Sequence, residues 1–288
     1  MRDYAILTDS GCDLTKDMVE EMDIGVAPMG LTLLDKAYRH YHDFRELSKE
    51  KFYSLIRSGN IGTTSGVNMQ DVIDLMREKL QKGMDILYLS FSSGMSCSYQ
   101  NACLAAEEMR DEFPDANIQV LDTKAGSVGL GMLAYLAAKK KAAGERLEQV
   151  VEYVMQQKDH ICHYFMVEDL MYISKTGRIS HLKATVGSML GIKPIFILDD
   201  NGKVKDEIKV RGKKAGIKHI LSKIQEKCTD ASTFFICHTD VENEANDLKA
   251  QVLKMYPTAD VFVNCVGPIL GNNTGPGALA LIFCGSAR

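Results

Sequence analysis

Asp85-Ile86-Leu87-Tyr88-Leu89-Ser90-Phe91, followed at once by Ser92-Ser93-Gly94-Met95-Ser96-Cys97-Ser98, is the stretch whose reading decides the fold. Within the first seven residues, Ile86–Leu89 are apolar without alternation, the mark of a strand buried on both faces. The next seven are small and hydroxyl-rich, a strand-to-helix loop, and the spacing predicts a helix over Ser96–Glu112. Working outward, Tyr4–Thr8 and Ile118–Asp122 read as strands of the same buried kind, and Thr15–Met22 as a helix. Ile24–Met29 and Leu31–Leu34 read as short extended pieces. Ser48 caps a helix over Lys49–Ser58, ended by Gly59. Asn68 caps another reaching about Lys82, with Val72, Leu75, Met76 and Leu80 at helical spacing. Two helices, Ser127–Ala143 and Arg146–Lys158, close this part. Strands separated by helices of this length form a parallel sheet covered on both faces, with ligands beyond the carboxyl ends of the strands.

The texture changes near residue 160. Ile161–Val167 reads as a strand, Asp169–Lys175 as a short helix and Ser180–Leu190 as a helical segment. Ile192–Leu198 and Lys203–Val210 read as a hairpin whose Asn201-Gly202 favours a type I′ turn. A helix over Lys213–Lys227, strand Thr233–His238, helix Val241–Tyr256 and strand Val261–Cys265 follow. The fold class is therefore α/β: an N-terminal three-layer domain with a parallel sheet, residues 1–160, and a C-terminal α+β domain, residues 161–288, with a mixed or antiparallel sheet and helices on one face.

Composition limits the function. At 288 residues, with 45% apolar and 25% charged, the chain reads as a soluble globular protein able to bury a large core. A net charge of −4 argues against nucleic-acid binding. Eight scattered cysteines without a Cys-x-x-Cys pair fit free thiols and a reducing, cytoplasmic setting. No leader precedes Tyr4–Thr8 and no run approaches a membrane span. His160-Ile161-Cys162-His163 is the nearest approach to a metal cluster, but on a strand His163 points away from the other two.

Three segments read as hydroxyl- or amide-rich loops: Gly62-Thr63-Thr64-Ser65-Gly66, Ser92–Ser98, and Gly271-Asn272-Asn273-Thr274-Gly275-Pro276-Gly277. The last reads either as a ligand-facing glycine loop, with Asn273 and Thr274 as its polar groups, or as a tight hairpin with no ligand. The first two lead into helix N-termini, which favour an anion. Gly129-Leu130-Gly131-Met132-Leu133-Ala134 matches a dinucleotide fingerprint, yet its glycines fall inside a helix and fit close packing better. No P-loop is present. A serine nucleophile in Ser92–Ser98 needs a base, for which His163 and His238 are nominal partners, and a hydrolase is kept as the alternative reading. Arg178, after Gly177, reads either as an exposed arginine paired with a surface carboxylate or as a fork aimed at an anionic head group.

Several of these motifs, in order, resemble the DegV family along essentially the whole chain. The resemblance is carried by Leu7-Thr8-Asp9-Ser10 with Asp13-Leu14, Thr64-Ser65, Leu89-Ser90 to Tyr99-Gln100, Leu121-Asp122-Thr123, Asp169-Leu170-Met171-Tyr172 with Gly177-Arg178-Ile179, Ile192-Lys193-Pro194-Ile195, and Thr274-Gly275-Pro276-Gly277-Ala278-Leu279. It implies a non-enzymatic carrier of one long-chain fatty acid, with its carboxylate between the domains and its chain in an apolar tunnel of the second. It also implies, as for some members, a separate fatty-acid kinase subunit as partner, with transient contact to a membrane or acyltransferase, and no cofactor. The family's head-group threonine and serine fall on Thr64 and Ser96, with Ser65 and Ser93 beside them, and its arginine on Arg178. The family histidine before Thr274 is replaced by Asn273, which donates a hydrogen bond but carries no charge.

Overall fold

The computed structural model describes residues 2–177 and 191–288; the helical segment expected over Ser180–Leu190, and Arg178, lie outside the described residues. The buried runs pair as the sequence requires. Strands Ile24–Ala27, Tyr4–Asp9, Asp85–Ser90 and Ile118–Asp122 lie in that order, all parallel. Alternation along them feeds two cores. Leu7, Ile86 and Tyr88 pack beneath the helices Lys49–Arg57, Met69–Leu80 and Ser98–Glu112, while Ile6, Leu87 and Leu89 face the helices Val128–Ala142 and Leu147–Gln157. The expected caps form: Ser48 and Asn68 side chains accept from Lys51 and Gln70 N–H groups, and Thr15, read as the first residue of its helix, instead caps Lys16–Glu21 by accepting from the Met18 N–H.

The second sheet is mixed, in the order Val204–Arg211, Ile192–Leu198, Ile161–Met166, Leu279–Gly285, Cys228–His238 and Asp260–Cys265. Only its last pair is parallel. The helices Lys213–Lys227 and Glu242–Met255 cover one face through Ile220, Ile224, Leu248 and Val252. The other face does not stand open. Phe235, Cys237, Ile282 and Cys284 join the same core as Leu87, Leu89 and the helix Val128–Ala142. Every residue of that helix from Val128 to Ala138 is buried, because it is clamped between the two sheets. Gly129 makes this packing close: a Cβ there would collide with the His163 ring, and one at Gly131 would lie 2.6 Å from the Cys12 carbonyl.

Three local expectations are corrected. The Gly62–Gly66 segment is not a loop; Thr63–Val67 is an edge strand of a three-stranded antiparallel sheet with Met29–Leu33 and Lys36–His40. The glycine-rich ending is helical over Pro268–Thr274, with Pro268 in its first turn, and only Gly275 (φ +74°) and Gly277 (φ +91°) turn the chain back. At Asn201-Gly202 only Gly202 has positive φ, at +68°. The Asp199 carboxylate accepts from both the Asn201 and Lys203 N–H groups, which selects a three-residue loop over a type I′ turn.

Candidate functional site

Beyond the carboxyl ends of the parallel strands, between them and the second sheet, lies a cavity of about 420 Å³. Thr64, Ser65, Ser96, Asn273 and Thr274 all line it. They come from three elements, and side-chain clasps set their spacing. Asn272 grips the Gly62 backbone from both sides, its Oδ1 accepting from the Gly62 N–H at 2.7 Å and its Nδ2 donating to the Gly62 carbonyl at 2.9 Å. This ties the helix Pro268–Thr274 to the start of the strand Thr63–Val67. One residue further on, Asn273 Nδ2 donates to Thr64 Oγ1 at 3.2 Å and to the Ile269 carbonyl at 2.7 Å. Thr274 points back along its own helix, donating to the Leu270 carbonyl at 3.0 Å.

The serine loop docks on the same strand. Ser98 Oγ accepts from the Val67 N–H at 3.2 Å and lies 2.9 Å from Ser96 Oγ. Gly66 permits this approach, since a Cβ there would sit 2.9–3.0 Å from Ser98 Oγ, Ser96 Oγ and Cys97 Sγ. Ser93 is not brought into the cavity. Its hydroxyl donates to the Asp122 carboxylate at 2.5 Å, on the exposed side of the loop. Ser92 is fully buried and donates to the Gly202 carbonyl at 2.8 Å. Among the described residues no serine of Ser92–Ser98 hydrogen-bonds a histidine. His163 Nδ1 faces the Ile161 carbonyl, and His238 Nδ1 accepts from the Val241 N–H.

Away from these polar groups the lining turns apolar, with Phe165, Ile173, Leu198, Val204, Leu279 and Ile282. Phe165, Leu198 and Ile282 come from strands of the second sheet. His163 also lines this region, and burial pushes its pKa down to about 3, so it is neutral near pH 7. Burial pushes the lining Cys237 thiol up to about 12. No lysine or arginine is among the described lining residues.

Two polar groups of the wall escaped the sequence reading. Ser127 lines the cavity from a backbone region rarely used by non-glycine residues (φ +51°, ψ −147°) and donates to Asp13 Oδ2 at 2.6 Å. Thr239 Oγ1 accepts from the Ala278 N–H at 2.6 Å. Neither belongs to a local motif; the meeting of the two sheets brings them in. Asp13 also lines a second, more polar cavity of about 730 Å³, with His40, His42 and His238. Among the described residues, no group of His, Cys, Asp and Glu side chains could hold a metal ion, all eight cysteines are free thiols, and no helix is long and apolar enough to cross a membrane.

Comparison with known proteins bears on this site. A family model described as "Uncharacterised protein, DegV family" matches residues 3–286. A DegV domain-containing protein of Clostridium perfringens is 33% identical over 100% of this chain and 99% of its own. Among solved structures, a DegV family protein from Thermus thermophilus, described by its fatty acid binding, superposes with a TM-score of 0.87 at 27% identity, covering 99% of this chain and 100% of its own. DegV of Bacillus subtilis, described as a fatty acid binding protein, superposes at 0.85 and 27% identity, with the same coverage.

Proposed function

Since this chain belongs to the DegV family, we propose that it binds one long-chain fatty acid, with the carboxyl group at Thr64, Ser96 and Asn273 and the acyl chain among the apolar residues of the cavity. The observation that carries the reading is the division of one cavity into a hydroxyl- and amide-lined end and an apolar remainder reaching the second sheet. The likeness to two fatty-acid-binding relatives at 27% identity supports it. On this reading residues 1–160 and 161–288 are two domains that share the ligand.

The energetics favour a retained ligand. Each buried CH₂ contributes about 0.8 kcal/mol, so a sixteen-carbon chain gives a gross stabilisation of roughly 12 kcal/mol before ordering costs. The polar end then fixes orientation more than affinity. Among the described residues, Thr64 and Ser65 hydroxyls have hydrogens not engaged elsewhere, and Ser96 shares one with Ser98. The protein's part is to shield the chain and present the head group. Acyl-phosphate chemistry belongs to a separate kinase subunit, and delivery to a membrane or acyltransferase contact.

The double variant Thr64→Ala with Ser96→Ala tests the head-group assignment. Binding of a fluorescent long-chain acid should weaken at least tenfold, about one hydrogen bond's worth, while the far-UV circular dichroism is unchanged. Unaltered affinity in a folded double variant contradicts it.

A further inference from the structure

Asn273 gives both hydrogens of its side-chain amide to the protein, one to the Ile269 carbonyl and one to the Thr64 hydroxyl. A backbone carbonyl only accepts, so the bond to Ile269 fixes which end of the amide is nitrogen. Among the described residues the amide oxygen Oδ1 is left with no partner, on a residue that lines the cavity. The Thr64 oxygen accepts from Asn273, so its own hydrogen remains to be given. The head of the cavity thus sets an acceptor, Asn273 Oδ1, beside a donor, the Thr64 hydroxyl.

This pairing discriminates between head groups. An ionised carboxylate has only acceptor oxygens: one meets the Thr64 hydrogen, while the charge lies against the Asn273 oxygen. Burying that charge needs a cation or several strong donors; the described lining residues include no lysine or arginine, and with both Asn273 amide hydrogens already spent on the protein only neutral hydroxyls, Thr64, Ser65 and the shared Ser96, remain to meet it. A protonated carboxyl group or a primary alcohol supplies both halves, donating its O–H to Asn273 Oδ1 and accepting from Thr64. We infer that the pocket takes its lipid with an uncharged, hydrogen-donating head group, a fatty acid in its protonated form or a fatty alcohol of the same length, and that Asn273 is the specificity-determining residue. This rests on the fatty-acid reading and names the form of ligand that the site selects.

The test uses the full chain loaded with palmitic acid labelled with ¹³C at the carboxyl carbon, followed by NMR from pH 5 to pH 9, together with competition by 1-hexadecanol. The bound carboxyl should keep the protonated shift through pH 7, whereas a free carboxyl titrates near 4.3, roughly. Hexadecanol should displace the acid at a concentration within about tenfold of the acid's own, and Asn273→Leu should weaken hexadecanol by about tenfold, one hydrogen bond. An ionised bound carboxyl at pH 7 with hexadecanol excluded overturns the inference, points to Arg178 as the head-group cation, and leaves fatty-acid binding standing. Failure of both lipids to bind overturns the inference and the function together.

Discussion

The Ser127 hydroxyl donates to the Asp13 carboxyl at 2.6 Å, so a residue in the wall of the apolar cavity is held by a residue that also lines the second, polar one. The bond matters because both backbones are in unfavourable regions, Asp13 at φ +50° and Ser127 at φ +51°. Such residues cost about 1–3 kcal/mol each unless their surroundings over-determine them. Here the Gly267 N–H donates to Asp13 Oδ1 at 2.8 Å, and Asn264 Nδ2 donates to the Asp13 carbonyl at 2.9 Å, which together fix the turn.

The same burial raises the Asp13 pKa from 3.8 to about 7, partly opposed by the bonds from Ser127 and Gly267 and reinforced by the nearby Asp9 charge. A carboxyl with a raised folded pKa binds more protons folded than unfolded between pH 4 and pH 7, so its contribution to stability falls as pH rises through that window. Asp9, likewise raised to about 7 by burial, acts in the same sense, while His40 and His163, pushed down to about 3 by burial, act in the opposite sense over pH 3–6.5 and offset the slope in the parent protein. The difference between Asp13→Asn and parent isolates it. The Asp13→Asn variant should gain on the parent by about 1.4 kcal/mol for each unit of pKa displacement as pH rises from 4 to 7, then level off. Urea unfolding at pH 4, 5.5, 7 and 8.5 measures this; a difference independent of pH contradicts it.

Gly129 has no room for a methyl group, because the His163 ring occupies the position a Cβ would take. Gly129→Ala should destabilise by about 1–3 kcal/mol through overpacking, despite alanine's better helix propensity. Adding His163→Ala should recover part of the loss, since the two residues share one contact. Denaturant midpoints of the three variants test this. A stabilised Gly129→Ala means that the helix Val128–Ala142 stands further from the second sheet.

Ala280 lines the apolar part of the cavity from the strand Leu279–Gly285, opposite Phe165. A phenylalanine there should shorten the space available to an acyl chain. Each methylene that no longer fits forfeits about 0.8 kcal/mol, so affinity for sixteen- and eighteen-carbon acids should fall roughly a hundredfold for Ala280→Phe while acids shorter by four or more carbons are little affected. A series of acids measured by calorimetry gives the answer, and an unchanged chain-length profile places the chain elsewhere.

Much of this architecture is legible in the sequence because it is local. Continuous apolar runs mark Tyr4–Asp9 and Asp85–Ser90, and polar caps mark the starts of the helices after Ser48 and Asn68. The small sheet is not legible. Lys36–His40 is largely exposed and charged, and Thr63–Val67 is rich in Ser, Thr and Gly, so neither has an apolar face to read. The tight turn between its first two strands uses Leu34 and Asp35, both at positive φ, with no glycine to announce it. In the site, Thr64, Ser96 and Asn273 come together from segments with visible composition, but sequence adjacency misleads for Ser93, which turns to Asp122. Ser127 and Thr239 carry no local pattern, and only the packing of one sheet against the other gives them a place in the wall.

Retention of one lipid per chain is read out by mass spectrometry of the protein purified without added lipid, first natively and then after denaturation and organic extraction. A single adduct near one per chain, released as a long-chain fatty acid or alcohol, is the outcome expected. An unliganded native mass, with only traces of mixed lipid in the extract, contradicts it.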